Sequence, residues 1–112
     1  MNIESLDKGS YAIVTLEGSL SNEYTDGAHR EIKKFLNLKD KHIIIEMSGI
    51  SFLCSAALGL LFSCLNEAND NKTRFVVSGL REDIRELFVI TGVDRHLTVY
   101  DSLEEAENNI SE

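Results

Sequence analysis

The sequence predicts an α/β fold in one domain spanning residues 1–112, with a mixed, mostly parallel sheet of four to five strands packed with about four helices. Three observations predict it. Short β-branched or alternating runs recur along the chain, and each main run is followed by residues at helical spacing. Strands that alternate with helices favour parallel pairing and short right-handed connections. The length of 112 residues suits one core and leaves no room for a second domain.

The first element is the alternation of Tyr11, Ile13 and Thr15 with Ala12, Val14 and Leu16, ending at Gly18; a short edge strand near Ile3 precedes it. From Glu23 to Leu38 the period changes. Ala28, Ile32, Phe35 and Leu36 fall on one face of a helix, and Arg30, Glu31, Lys33 and Lys34 fall on the other. Lys39-Asp40-Lys41 is a polar turn into His42–Met47, a run apolar on both faces and so expected at the centre of the sheet. A loop from Ser48 to Cys54 is expected next, then a helix over Ala56–Asn69 whose first ten residues are almost all apolar or small. Thr73–Ser78 reads as a strand, and Arg81–Thr91 as a helix with Ile84, Leu87 and Phe88 on one face and Gly92 at its end. Leu97–Tyr100 is a last short strand. Ser102 with Glu105 forms a capping box for a terminal helix bearing Leu103, Ala106 and Ile110.

Composition narrows the function. The chain has 19 acidic and 11 basic residues, a net charge of −8, which repels a phosphate backbone; no basic cluster offsets it, so nucleic acid is not an expected partner. No apolar run approaches the roughly 20 residues that cross a bilayer, and the first residues form no leader, so a cytoplasmic protein without membrane insertion is expected. On one helix, Cys54 and Cys64 lie about 15 Å apart at 1.5 Å per residue, too far for a disulfide, and two reduced thiols are expected. His29, His42 and His96 fall on different elements without metal-ligand spacing, and no glycine-rich phosphate loop is present. With no cofactor motif and no nucleophile elbow, a binding role is expected in place of catalysis.

The candidate site is the start of the second helix. Serine is a preferred N-cap, so Ser55 is expected to cap that helix. A phosphate on Ser55 would sit at the positive end of the helix dipole and change the surface while sparing the fold. Cys54 beside it is either a small half-buried residue or a thiol activated by the helix terminus. The apolar helix beyond, with Leu58, Leu60, Leu61 and Phe62, is mainly core, with one edge available to a partner.

The stretch Ile43-Ile44-Ile45-Glu46-Met47-Ser48-Gly49-Ile50-Ser51-Phe52-Leu53-Cys54-Ser55-Ala56-Ala57-Leu58-Gly59-Leu60-Leu61 resembles the signature of the STAS domain, specifically that of the bacterial anti-sigma factor antagonists. Thr91–Leu97, Tyr100 and Ser102–Ala106 resemble the closing strand and helix of that family. The resemblance implies a partner-switching protein that binds an anti-sigma factor acting as a serine kinase, frees the sigma factor, and is released by phosphorylation of Ser55. It implies partner contacts at Ser21, Cys54, Ser55, Ala56, Ala57 and Leu58 and a serine phosphatase as a further partner; a monomer in the free state is the default expectation. The chain differs from the family pattern at Cys54, Ser21 and Glu46, where the family has aspartate, and at Ala57, where it has glycine. A variant antagonist that takes no phosphate, a STAS-like regulatory subunit of a transporter or lipid-trafficking complex, and a ligand or redox sensor centred on Cys54 remain alternatives.

Overall fold

The computed structural model describes residues 1–38 and 40–110; Lys39, part of the expected polar turn, lies outside the described residues. The elements are β1 (Asn2–Asp7), β2 (Tyr11–Leu20), α1 (Asn22–Leu36), β3 (His42–Leu53), α2 (Ser55–Asp70), β4 (Phe75–Ser78), α3 (Glu82–Thr91), β5 (Thr98–Tyr100) and α4 (Leu103–Ile110), with a 3-10 turn at Val93–Arg95. The five strands lie in the sheet in chain order. β1 runs antiparallel to β2, and β2 to β5 are mutually parallel. The expected edge strand near Ile3 is therefore a full six-residue strand.

Parallel pairing needs a crossover after each strand, and right-handed crossovers put successive helices on one face. One face of the sheet, through Val14, Leu16, Ile43, Ile45, Phe75 and Val77, packs under α1, α2 and α3. The opposite face, through Ile13, Ile44 and Val76, packs under Ala106 and Ile110 of α4. The isoleucine run of β3 is thus buried on both sides, as its unbroken apolar pattern requires. Gly92 ends α3 in the left-handed conformation, with φ +79°, and Ser102 Oγ accepts the Glu105 N–H at 3.1 Å at the start of α4.

β3 departs from expectation. The segment 48–53 is strand, not loop, and pairs with the end of β2 through Glu17↔Gly49, Gly18↔Ile50, Ser19↔Phe52 and Leu20↔Leu53. Register shifts between Thr15 and Glu17 and between Gly18 and Ser19 break the two-residue alternation. Met47, Ile50 and Leu53 consequently all face the core at a spacing of three, a pattern that does not read as a strand. β4 pairs β3 only as far as Glu46↔Ser78, so the β2–β3 pair extends beyond the rest of the sheet.

Glu46 closes the base of this extension. Its Oε1 accepts the Ser48 N–H at 2.8 Å. Gly79, with φ +74°, approaches so closely that an added Cβ would lie 2.7 Å from that same oxygen and 3.0 Å from Ser48 Cβ. Gly79→Ala therefore combines a positive φ with a clash and is expected to cost about 2 kcal/mol. Urea unfolding checks this; a loss below about 0.5 kcal/mol would show that the turn relaxes freely.

Candidate functional site

Because β2 and β3 are parallel neighbours, they deliver their following helices to the same edge of the sheet. The Cys54 N–H donates to Leu20 C=O at 3.1 Å, tying the two strand ends together immediately before Ser21 and Ser55. Ser21 precedes α1 in extended conformation, and Cys54 precedes α2 in the same way. The two helices therefore start side by side, and they are joined farther along by a Lys33–Glu67 ion pair. Ser21 and Ser55, far apart in sequence, lie at the same end of the sheet.

Ser55 is not the cap. Cys54 occupies the N-cap position and Ser55 is the first helical residue, because the Cys54 C=O accepts the Ala57 N–H at 3.1 Å and the Leu58 N–H at 3.3 Å. Neither Cys54 nor Ser21 makes a side-chain cap bond. The first turn of α2 also carries no acidic residue, whereas α1, α3 and α4 each carry at least one there. The Ser55 and Ala56 amides of α2 are thus left to water or to an anion, at the positive end of the helix dipole.

Ser55 and Ala56 are exposed, and Ser21, Cys54 and Leu58 are half-buried. Ala57 is 0% exposed and packs in the core with Leu60, Leu61 and Cys64, so its side chain is not available to a partner. Its methyl fills core space inside a helix, which also avoids the entropy cost of glycine at that position. Most of the apolar α2 face is buried as well: Leu60, Leu61, Cys64, Leu65 and Ala68 are core, while Leu58 and Phe62 are partly covered. Burial pushes the Cys64 thiol up to about 12, which keeps it protonated and unreactive at neutral pH. Both cysteines are free.

Two residues of this edge escape the sequence reading. Phe52, at the end of β3, is 51% exposed, and Tyr24, in the first turn of α1, is also exposed. Their signal in the sequence is a large aromatic within three residues of each helix start. The segments 19–24 and 52–58 contain one charged residue, Glu23, so the edge is a nearly uncharged surface of hydroxyls, small apolar groups and two aromatics. The histidines do not join it. His42 Nδ1 accepts the Arg74 N–H at 2.9 Å, and burial together with the Arg74 charge lowers its pKa. His96 lies with its ring centroid 6.0 Å from that of Phe62. No group of three or more His, Cys, Asp or Glu side chains among the described residues is placed to hold a metal ion.

This arrangement, a five-stranded mixed sheet with a serine exposed at the start of its second helix, bears comparison with known proteins. Residues 2–106 match the family described as STAS domain. The chain belongs to the STAS domain family. An anti-sigma-B factor antagonist of Staphylococcus epidermidis is 27% identical over 105 residues, covering 93% of this chain and 96% of that one. An anti-sigma factor antagonist from Mycobacterium paratuberculosis has the same fold, with a TM-score of 0.90 at 19% identity, covering 99% of this chain and 94% of that one. The phosphorylated form of the Bacillus cell fate determinant SpoIIAA also shares the fold, with a TM-score of 0.74 at 16% identity, covering 97% of this chain and 99% of that one. Among the described residues of this STAS domain, no helix is long and apolar enough to cross a membrane.

Proposed function

We propose that this STAS domain is an anti-sigma factor antagonist of the partner-switching kind. Its unmodified edge around Ser21, Cys54, Ser55, Ala56 and Leu58 docks on an anti-sigma factor that is also a serine kinase, and the sigma factor is freed to direct transcription. Transfer of phosphate to Ser55 ends the docking, and a serine phosphatase restores it. The protein works by binding in the cytoplasm, as a monomer in the free state, and without a cofactor.

The observation that carries this reading is the exposed Ser55 at an uncapped helix start, on an edge with almost no charge. A phosphoserine adds about 1.5 to 2 negative charges, and no basic residue in segments 19–24 and 52–58 offsets them. The helix dipole tolerates the group within the fold, while a partner packed on this edge has to bury or expel it. Phe52 and Tyr24 enlarge the apolar part of the same surface.

The test is capture of the partner from the source cell with the purified chain, followed by incubation with ATP and mapping of phosphate on the bait. Recovery of a serine kinase with phosphate on Ser55 supports the switch. Recovery of such a kinase with an unmodified bait makes the chain a constitutive antagonist. Recovery of transporter subunits overturns the reading in favour of a regulatory subunit.

A further inference from the structure

The exposed face of α3 has a different character from the Ser55 edge. Ile90 is 82% exposed and Val89 57%, and Ile90 is the most exposed large apolar side chain among the described residues. They line a groove of about 290 Å³ together with Glu82, Arg85 and Glu86. The core contacts of α3 come from Ile84 and Phe88, with Leu87 partly covered, so Val89 and Ile90 contribute nothing to the core. β-branched residues are also only moderate helix formers, so they bring neither packing nor propensity to α3. The chain keeps two adjacent apolar side chains in water at the end of a short helix.

We propose that this groove is a second docking surface, and that its occupant is an amphipathic helix of another protein whose apolar anchors are flanked by lysine or arginine. The charges of the groove select that occupant. Arg85 pairs with Asp101 at 2.6 Å and Arg81 with Asp83 at 3.8 Å, which leaves the Glu82 and Glu86 carboxylates to set a negative rim. Apolar anchors on Val89 and Ile90 with cations beside Glu82 and Glu86 complete a helix-against-helix contact on this shallow, open face of α3. A second copy of this chain fits less well. It carries a net charge of −8 and would bring the same acidic rim against itself.

The apolar end of this surface lies away from the Ser55 edge. α3 follows β4 and starts at the same sheet edge as α2, then runs away from it. Ile90 therefore lies about 12 Å along the helix axis from Glu82, toward the opposite edge.

The probe is a synthetic peptide of leucine and lysine at helical spacing, titrated into the full chain and followed by backbone and methyl NMR. Saturable shifts concentrated at Glu86, Val89 and Ile90 are expected, together with no binding of the peptide in which glutamate replaces lysine. Ile90→Glu is the decisive variant, because it adds one negative charge while removing the anchor. Attraction to a generally acidic surface predicts tighter binding of the lysine peptide by this variant. Anchoring in the groove predicts binding roughly tenfold weaker. Val89→Ser, which leaves the charge unchanged, is expected to weaken binding in the same direction. Shifts scattered over the acidic surface, or an Ile90→Glu variant that binds as well as the parent, would overturn the proposal. A dimer in sedimentation velocity that Ile90→Glu dissolves would overturn it in favour of a second copy.

Discussion

Ser55→Asp is expected to fold normally and to bind the partner kinase roughly a hundredfold more weakly than the parent chain, a difference of about 2.8 kcal/mol. The two halves of this result have separate causes. Within the chain, the first turn of α2 has no acidic residue and no side-chain cap, so a carboxylate there meets free amides and the positive end of the dipole. That interaction is worth about 0.3 to 1 kcal/mol in favour of the fold. Against a partner, the same carboxylate enters an edge whose flanking segments supply no cation, and burying an unpaired charge costs several kcal/mol. Ser55→Ala separates the effects further. Because Ser55 is the first helical residue and not the cap, and is exposed, its loss is expected to change stability by less than about 0.5 kcal/mol. That variant keeps its affinity and accepts no phosphate. Thermal melts and titration calorimetry of the three proteins read both quantities. A folded Ser55→Asp protein with parental affinity would remove the switch.

The periodicity of the chain made the element order legible, and the unbroken apolar run at Ile43–Ile45 placed β3 in the centre of the sheet. Residues 48–53 were illegible for a physical reason. Register shifts opposite Thr15–Glu17 and Gly18–Ser19 put Met47, Ile50 and Leu53 on one face, so a strand carries a spacing of three. Cap assignment failed for a related reason. Residue type favours Ser55 over Cys54 as N-cap, but the tie from Cys54 N–H to Leu20 C=O fixes where β3 ends and α2 begins. Tertiary contact overrode local preference by one residue. The proximity of Ser21 to Ser55 had no signal in periodicity and entered through the family resemblance; the parallel pairing of β2 and β3 supplies its cause. The burial of Ala57 and the exposure of Phe52 depend on rotation about the α2 and β3 axes, which composition does not encode.

The largest expected loss of stability is at Phe88. It is fully buried and is the largest such side chain in the fold, and with Ile84 it supplies the buried anchors of α3. α3 has ten residues, and an isolated helix of that length is marginal in water, so docking of Phe88 holds it in place. Phe88→Ala removes that contact and leaves a cavity, and is expected to cost about 4 kcal/mol. Against a typical total of about 5 to 15 kcal/mol, this brings the protein close to unfolding. Ile90→Ser on the same helix, two residues away but exposed, is expected to change stability by less than about 0.5 kcal/mol. Urea unfolding of the two variants therefore measures the contrast between the two faces of one helix. If Phe88→Ala cost less than about 1 kcal/mol, α3 would not be anchored through this side chain. The same variant also tests whether the Ser55 edge stands apart from α3. α2 is held by its own buried residues, Ala57, Leu60, Leu61, Cys64, Leu65 and Ala68. The folded fraction of Phe88→Ala is accordingly expected to bind at the Ser55 edge with parental affinity, so that its loss of function follows its loss of folded protein and not a damaged site.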